Sequence, residues 1–157
     1  MAIKYACFRT DNMSGTVLGK DLVSAKFDGA IENGNIVVIG DLLEGEREVR
    51  EATQPTAAAE LRDLAVVASE EVVKEKAHNT LAEFINEEGD ILRCYRLVSR
   101  DIFSVTAEAL DGDATVGAVV EAQASTKMKV AETATEGSTT IGKIIAIEGE
   151  WIVIEVA

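Results

Sequence analysis

The stretch Ile144-Ile145-Ala146-Ile147, Glu148-Gly149-Glu150, Trp151-Ile152-Val153-Ile154-Glu155-Val156 decides the fold class. Two runs rich in β-branched residues flank a three-residue loop that holds a glycine. That pattern predicts a β-hairpin with a bulge. Working outward, Ile91–Val98, Ile102–Val105, Val116–Glu121 and Lys127–Ala131 read as further short strands, with a turn at Asp111-Gly112-Asp113. Thr115-Val116-Gly117-Ala118-Val119-Val120 echoes Thr140-Ile141-Gly142-Lys143-Ile144-Ile145, each with a glycine just before a strand. Two copies fall short of a solenoid and imply paired β-units in one sheet or barrel.

The first half follows the same rhythm. Leu22–Phe27 and Ile36–Gly40 read as strands, and Asn33-Gly34 between them is a tight-turn signal. Leu64–Ala68 is an apolar run of strand length and predicts a buried strand. Glu46–Glu51 reads as an exposed edge strand whose charges discourage unwanted pairing. Pro55, the only proline, ends what precedes it, and Thr56–Leu61 suits a helical turn. Val72, Val73, Ala77, Leu81, Phe84 and Ile85 form a helical stripe that Gly89 closes, and a strand at 70–75 followed by an irregular loop is the competing reading. Residues 1–20 read as an N-terminal arm or loop-rich segment with a short strand near Ile3–Phe8. The expectation is a mainly β protein. Residues 21–157 would form one compact β-barrel or β-sandwich-like domain, with one short helix at about residues 72–87.

The 157 residues fit one domain, and an aromatic share of 4% leaves the core to Val, Ile, Leu and Ala. A net charge of −13 argues against nucleic acid and against an anionic membrane, both of which need clustered Lys and Arg. Residues 41–90 hold 5 basic and 14 acidic side chains, so most of the excess lies there and predicts a solvated acidic face. The N-terminus shows no secretory h-region, and no apolar run is long enough to span a bilayer, so a cytoplasmic start is expected.

The residues that carry chemistry are sparse. His78 is the single histidine, which rules out a zinc site built on several imidazoles. Cys7 and Cys94 form no CxxC pair and read as buried thiols, with one disulfide left open. No GxSxG, GxGxxG or GxxxxGK[ST] pattern occurs, and Asp111-Gly112-Asp113 lacks the ligand spacing of a calcium loop. With 28 carboxylates, no particular pair stands out. The reading is a non-enzyme with no cofactor and no metal. Trp151 reads as core, barrel rim or a partner anchor.

Leu64-Ala-Val-Val-Ala-Ser-Glu-Glu-Val, Leu81-Ala-Glu-Phe-Ile-Asn-Glu-Glu-Gly89, Arg93-Cys-Tyr-Arg-Leu97 and Asp101-Ile-Phe-Ser-Val-Thr-Ala-Glu-Ala-Leu110 together look familiar. They resemble small proteins encoded beside the major capsid gene in tailed phages and prophages of Gram-positive bacteria. Those proteins look like capsid decoration, or head-stabilising, proteins. The resemblance covers about residues 60–155, and the run Asp101–Thr106 is its most specific part. It implies a virion component on the capsid exterior, made in the host cytoplasm. Its partner would be the major capsid protein, and it would form a homo-oligomer, a trimer by preference. Attachment by avidity needs no active site. The candidate capsid or oligomer contacts are Phe8, Arg9 and Met13 of a docking arm, together with Trp151. Rival readings are another head or tail structural component, a small β-barrel ligand-binding protein or enzyme, and an acidic DNA mimic.

Overall fold

The computed structural model describes residues 4–71 and 83–157. Strands hold 44% of the chain and helical turns 9%, so the mainly β expectation stands. Among the described residues, twelve strands fall into two hydrogen-bonded groups. The first group comprises β2 (Leu22–Phe27), β3 (Ile36–Leu42), β4 (Val49–Thr53), β5 (Leu64–Val67) and β6 (Ile91–Arg96), which close a barrel in the order β2-β4-β3-β5-β6. The second is a seven-stranded sheet of β1 (Phe8–Asn12), β7 (Ile102–Val105), β8 (Leu110–Asp111), β9 (Val119–Gln123), β10 (Ser125–Ala131), β11 (Thr140–Glu148) and β12 (Trp151–Val156). Its order is β1-β7-β12-β11-β9-β10-β8.

Two cores follow from the alternation of side chains along each strand. Val23, Ala25, Val37, Ile39, Ala52, Ala65, Val67, Leu92 and Cys94 fill the barrel interior. Ile36, Leu64, Val66 and Tyr95 point outward from the barrel and meet Phe8, Phe103, Val105, Ile144, Ile152 and Ile154 of the sheet. Strands β3 and β5 therefore bury both faces, which is why their sequences are near-continuous apolar runs rather than alternating ones. The lack of large aromatics suits the barrel, whose small interior takes Ala, Val, Ile, Leu and Cys side chains.

Several expectations need correction. Asn33-Gly34 does turn, with Gly34 at φ 86°, but β2 and β3 do not pair. Instead β2 lies between β4, to which it runs parallel, and β6. The charged strand is not an edge: β4 has partners on both sides, and its Ala52 packs into the barrel core. In the final hairpin Glu148 pairs with Trp151, so the loop is the two residues Gly149 and Glu150. The bulge sits farther along β11, between Ile144 and Ala146. Gly149 supplies the positive φ, 62°, that such a turn needs at its first position.

The echoed segments lie beside each other as β9 and β11, where Gly142 pairs with Val120 and Lys143 with Val119. Gly142 is inside β11 rather than before it. Ile3 lies outside the described residues; among those described the first strand is Phe8–Asn12, which pairs with β7, so residues 8–12 of the expected arm are an edge strand of the sheet. Of the helix expected at about residues 72–87, residues 72–82 lie outside the described residues. Its far end is not an α-helix: Asn86 makes an isolated antiparallel bridge to Ile31.

Candidate functional site

Strand register assembles one polar and aromatic cluster on the face of the sheet that points away from the core. On β12, Ile152, Ile154 and Val156 face inward, which leaves Trp151 and Val153 on the outer side. Val153 pairs with Ser104 of β7, and Ser104 pairs with Arg9 of β1. Glu148 of β11 stands opposite Trp151. Residues from four strands, up to 144 positions apart, thus meet on one patch.

Arg9 is the hub. Its guanidinium lies 4.9 Å from the centroid of the Trp151 ring. Its Nε donates to Asp11 Oδ1 at 2.9 Å, and its Nη2 donates to Ser104 Oγ at 3.2 Å. Glu148 Oε2 stands 3.9 Å away. Ser104 Oγ in turn donates to Asp11 Oδ2. Arg9 keeps 41% of its side-chain surface exposed, so its ion pairs are screened and add little to stability. What they do is hold a long side chain over an indole. A fixed Arg–Trp pair at a surface is the type of anchor that dominates binding energy at protein interfaces.

Of the four contact residues expected from sequence, the structure brings Arg9 and Trp151 together and moves the other two elsewhere. Phe8 and Met13 are 9% and 2% exposed and belong to the core between barrel and sheet. Phe8 stacks against both Tyr95 and Phe103. A side chain spent on that packing is not available to a partner, so the docking-arm role for Phe8 and Met13 is withdrawn.

A second patch escaped the sequence reading. Val17, Leu18 and Leu22 are 84%, 49% and 38% exposed. Their segment is tied down: Ser14 N donates to Asp101 Oδ1 at 3.0 Å, Ser14 Oγ donates to Asp21, and Thr16 Oγ1 donates to Met13 O at 2.7 Å. Gly15 lies directly beneath the Tyr95 ring. The turn is anchored while its apolar side chains stand in water, a patch type that marks contact surfaces. The legible signal was an apolar Val17-Leu18 pair set between Gly15 and Gly19.

The remaining candidates are placed as follows. Cys94 sits inside the barrel, and burial pushes its thiol up to about 12. Cys7 is also buried and is raised by burial and then by Glu108. Both shifts favour the neutral thiol over the nucleophilic thiolate. His78 lies outside the described residues. Asp111 and Asp113 flank Gly112, whose φ of 108° makes the turn. The described acidic residues of 41–90 are exposed for the most part, as a solvated face requires. An open cleft of about 660 Å³ lies at the barrel end between Lys26, Phe27, Leu43, Glu51 and Gln54.

Among the described carboxylates, Glu121 stands out in being fully buried. It lies on the outer face of β9, with Oε1 accepting from Thr135 N, while Oε2 has no partner among the described residues. Thr139 N donates to Ala57 O, so the segment 132–139 is strapped to the barrel as well as to β9.

Comparison with family models, with curated proteins and with solved structures gives no match in any of the three.

Proposed function

We propose that this chain is a structural virion protein that attaches to the outer surface of a tailed-phage capsid and stabilises the shell. The observation that carries the reading is the Arg9–Trp151 stack, braced by Asp11, Ser104 and Glu148 on the face of the sheet opposite its core. The resemblance over residues 60–155 supplies the partner, the major capsid protein. The charge of −13 suits an exterior position and disfavours contact with packaged DNA. The anchored Val17–Leu18 turn offers a second contact, either to the capsid or between copies in the trimer that the resemblance implies.

The test is co-sedimentation with expanded, undecorated heads built from the capsid protein encoded beside this gene. The native chain binds at a copy number of hundreds per particle. Trp151→Ala and Arg9→Ala each weaken binding about 30-fold, the loss expected at a hot-spot position, with little change in melting temperature. Absence of binding by the native chain rejects the reading. Saturation at about a dozen copies per particle assigns the chain instead to a connector or tail.

A further inference from the structure

The one Asn-Gly pair in the chain, Asn33-Gly34, is the sequence most prone to deamidation. In that reaction the Gly34 backbone nitrogen, after losing its proton, attacks Asn33 Cγ. The Cγ–Nδ2 bond breaks, ammonia leaves, and a succinimide remains. Water then opens the ring at either carbonyl, giving aspartate or isoaspartate. The net change consumes one water and releases one ammonia.

The fold holds both reacting groups. Gly34 N donates to Val67 O at 2.8 Å. Asn33 is 1% exposed. Its Nδ2 donates to Ser69 O at 2.9 Å, and its Oδ1 accepts from Ser69 N and from Asn86 Nδ2, each at 3.1 Å. Asn86 in turn donates to Ile31 O and exchanges backbone hydrogen bonds with Ile31. Gly34 is wedged against Val105 and Ala109, where even a Cβ would stand 3.1 and 3.3 Å away. The nucleophile is thus engaged, the amide is fixed, and water is excluded.

The product does not fit the same place. Nδ2 donates to the Ser69 carbonyl, and a carboxylate has no hydrogen to give it. Its charge would be buried against that carbonyl oxygen and near Glu71, whose Oε1 is 3.4 Å from Nδ2. Isoaspartate also adds a carbon to the backbone, which displaces the Gly34 N–H from Val67 O. We infer that Asn33-Gly34 is a latent modification site, silent while the barrel is closed, and that its deamidation after local opening is a one-way lesion that leaves the reclosed molecule less stable.

The experiment follows amide-to-acid conversion at Asn33 by peptide mass mapping at mildly alkaline pH, in native buffer and in urea. The native rate is at least about a hundredfold below the urea rate, as when reaction requires an opening populated one time in a hundred or less. Asn86→Ala, checked as folded by circular dichroism, removes one clamp and raises the native rate at least about tenfold. Asn33→Asp, made directly, refolds to a less stable state with a lower urea midpoint. Equal rates in native buffer and urea overturn the protection. An Asn33→Asp variant as stable as the parent overturns the one-way lesion.

Discussion

Replacing Gly142 by alanine tests the packing of the sheet at its centre. Gly142 pairs with Val156 across the β11–β12 ladder. A Cβ built there would overlap the Glu155 carbonyl oxygen and stand 2.9 Å from the Glu155 carbonyl carbon and 3.2 Å from Val156 Cα. All three are backbone atoms, so no rotamer change relieves the contact. Strand β12 must shift by on the order of 1 Å against a close-packed core. That shift costs about 1–3 kcal/mol as overpacking. It also breaks one or two hydrogen bonds at about 1 kcal/mol each, beginning with Ala157 N to Ile141 O at 2.9 Å. The expected loss is about 2–5 kcal/mol, a large fraction of the 5–15 kcal/mol typical of a domain. Urea denaturation followed by circular dichroism measures it, and the melting temperature falls by about 10 °C. Two glycines calibrate the result. At Gly19 an added Cβ meets nothing within 4 Å, so alanine there changes stability by less than about 0.5 kcal/mol. At Gly15 it would stand 2.5 Å from Tyr95 Cδ1, a side-chain atom able to give way, and the loss falls between the other two. A Gly142→Ala protein within 1 kcal/mol of the parent, by the same assay, would refute this account of the strand contact.

Other consequences are as direct. Cys94 carries a thiol raised from 9.0 to about 12 by burial. Below pH 9 folded and unfolded chains both hold the proton, whereas above it the unfolded chain releases it first, so stability declines as pH rises from 9 toward 12. Cys94→Ala loses this part of the decline in urea midpoint, and Cys94 resists thiol reagents at pH 8 until the chain is unfolded. Glu121→Ala leaves Thr135 N without its acceptor and costs about 1–2 kcal/mol. Hydrogen exchange at the Thr135 amide accelerates, and an unchanged rate contradicts the strap. Val17→Ser with Leu18→Ser leaves the melting temperature unchanged, since both side chains already stand in water, while it weakens head binding or self-association.

How much was legible depends on the range of the forces involved. Strand β5 could be read because Leu64–Val67 is apolar on both faces, and the last hairpin because its turn lies between its two strands. Pairing between distant strands could not be read. The parallel contact of β2 with β4, which turns the charged segment 46–51 from an edge into barrel wall, depends on closure of the whole ring. The same limit explains the contact residues. Phe8 and Met13 sit in a loosely patterned stretch that read as an arm, but the period of two along β1 sends Phe8 inward and Arg9 outward. Arg9 and Trp151 were each visible as types suited to contact. Their stacking comes from the β1-β7-β12 register, which no local pattern encodes.

The placement of β12 in the interior of the sheet, and of β1 against β7, sets an order in time. The barrel strands run consecutively from Leu22 to Arg96, so the ring is free to close as soon as that length has left the ribosome. Phe8 must meanwhile wait for Val105, and β7 and β11 stay apart until β12 fills the gap between them. During that wait the outward faces of Ile36, Leu64 and Val66 have no cover. Contacts so distant in sequence form slowly, and the half-made molecule is the species that a chaperone would meet.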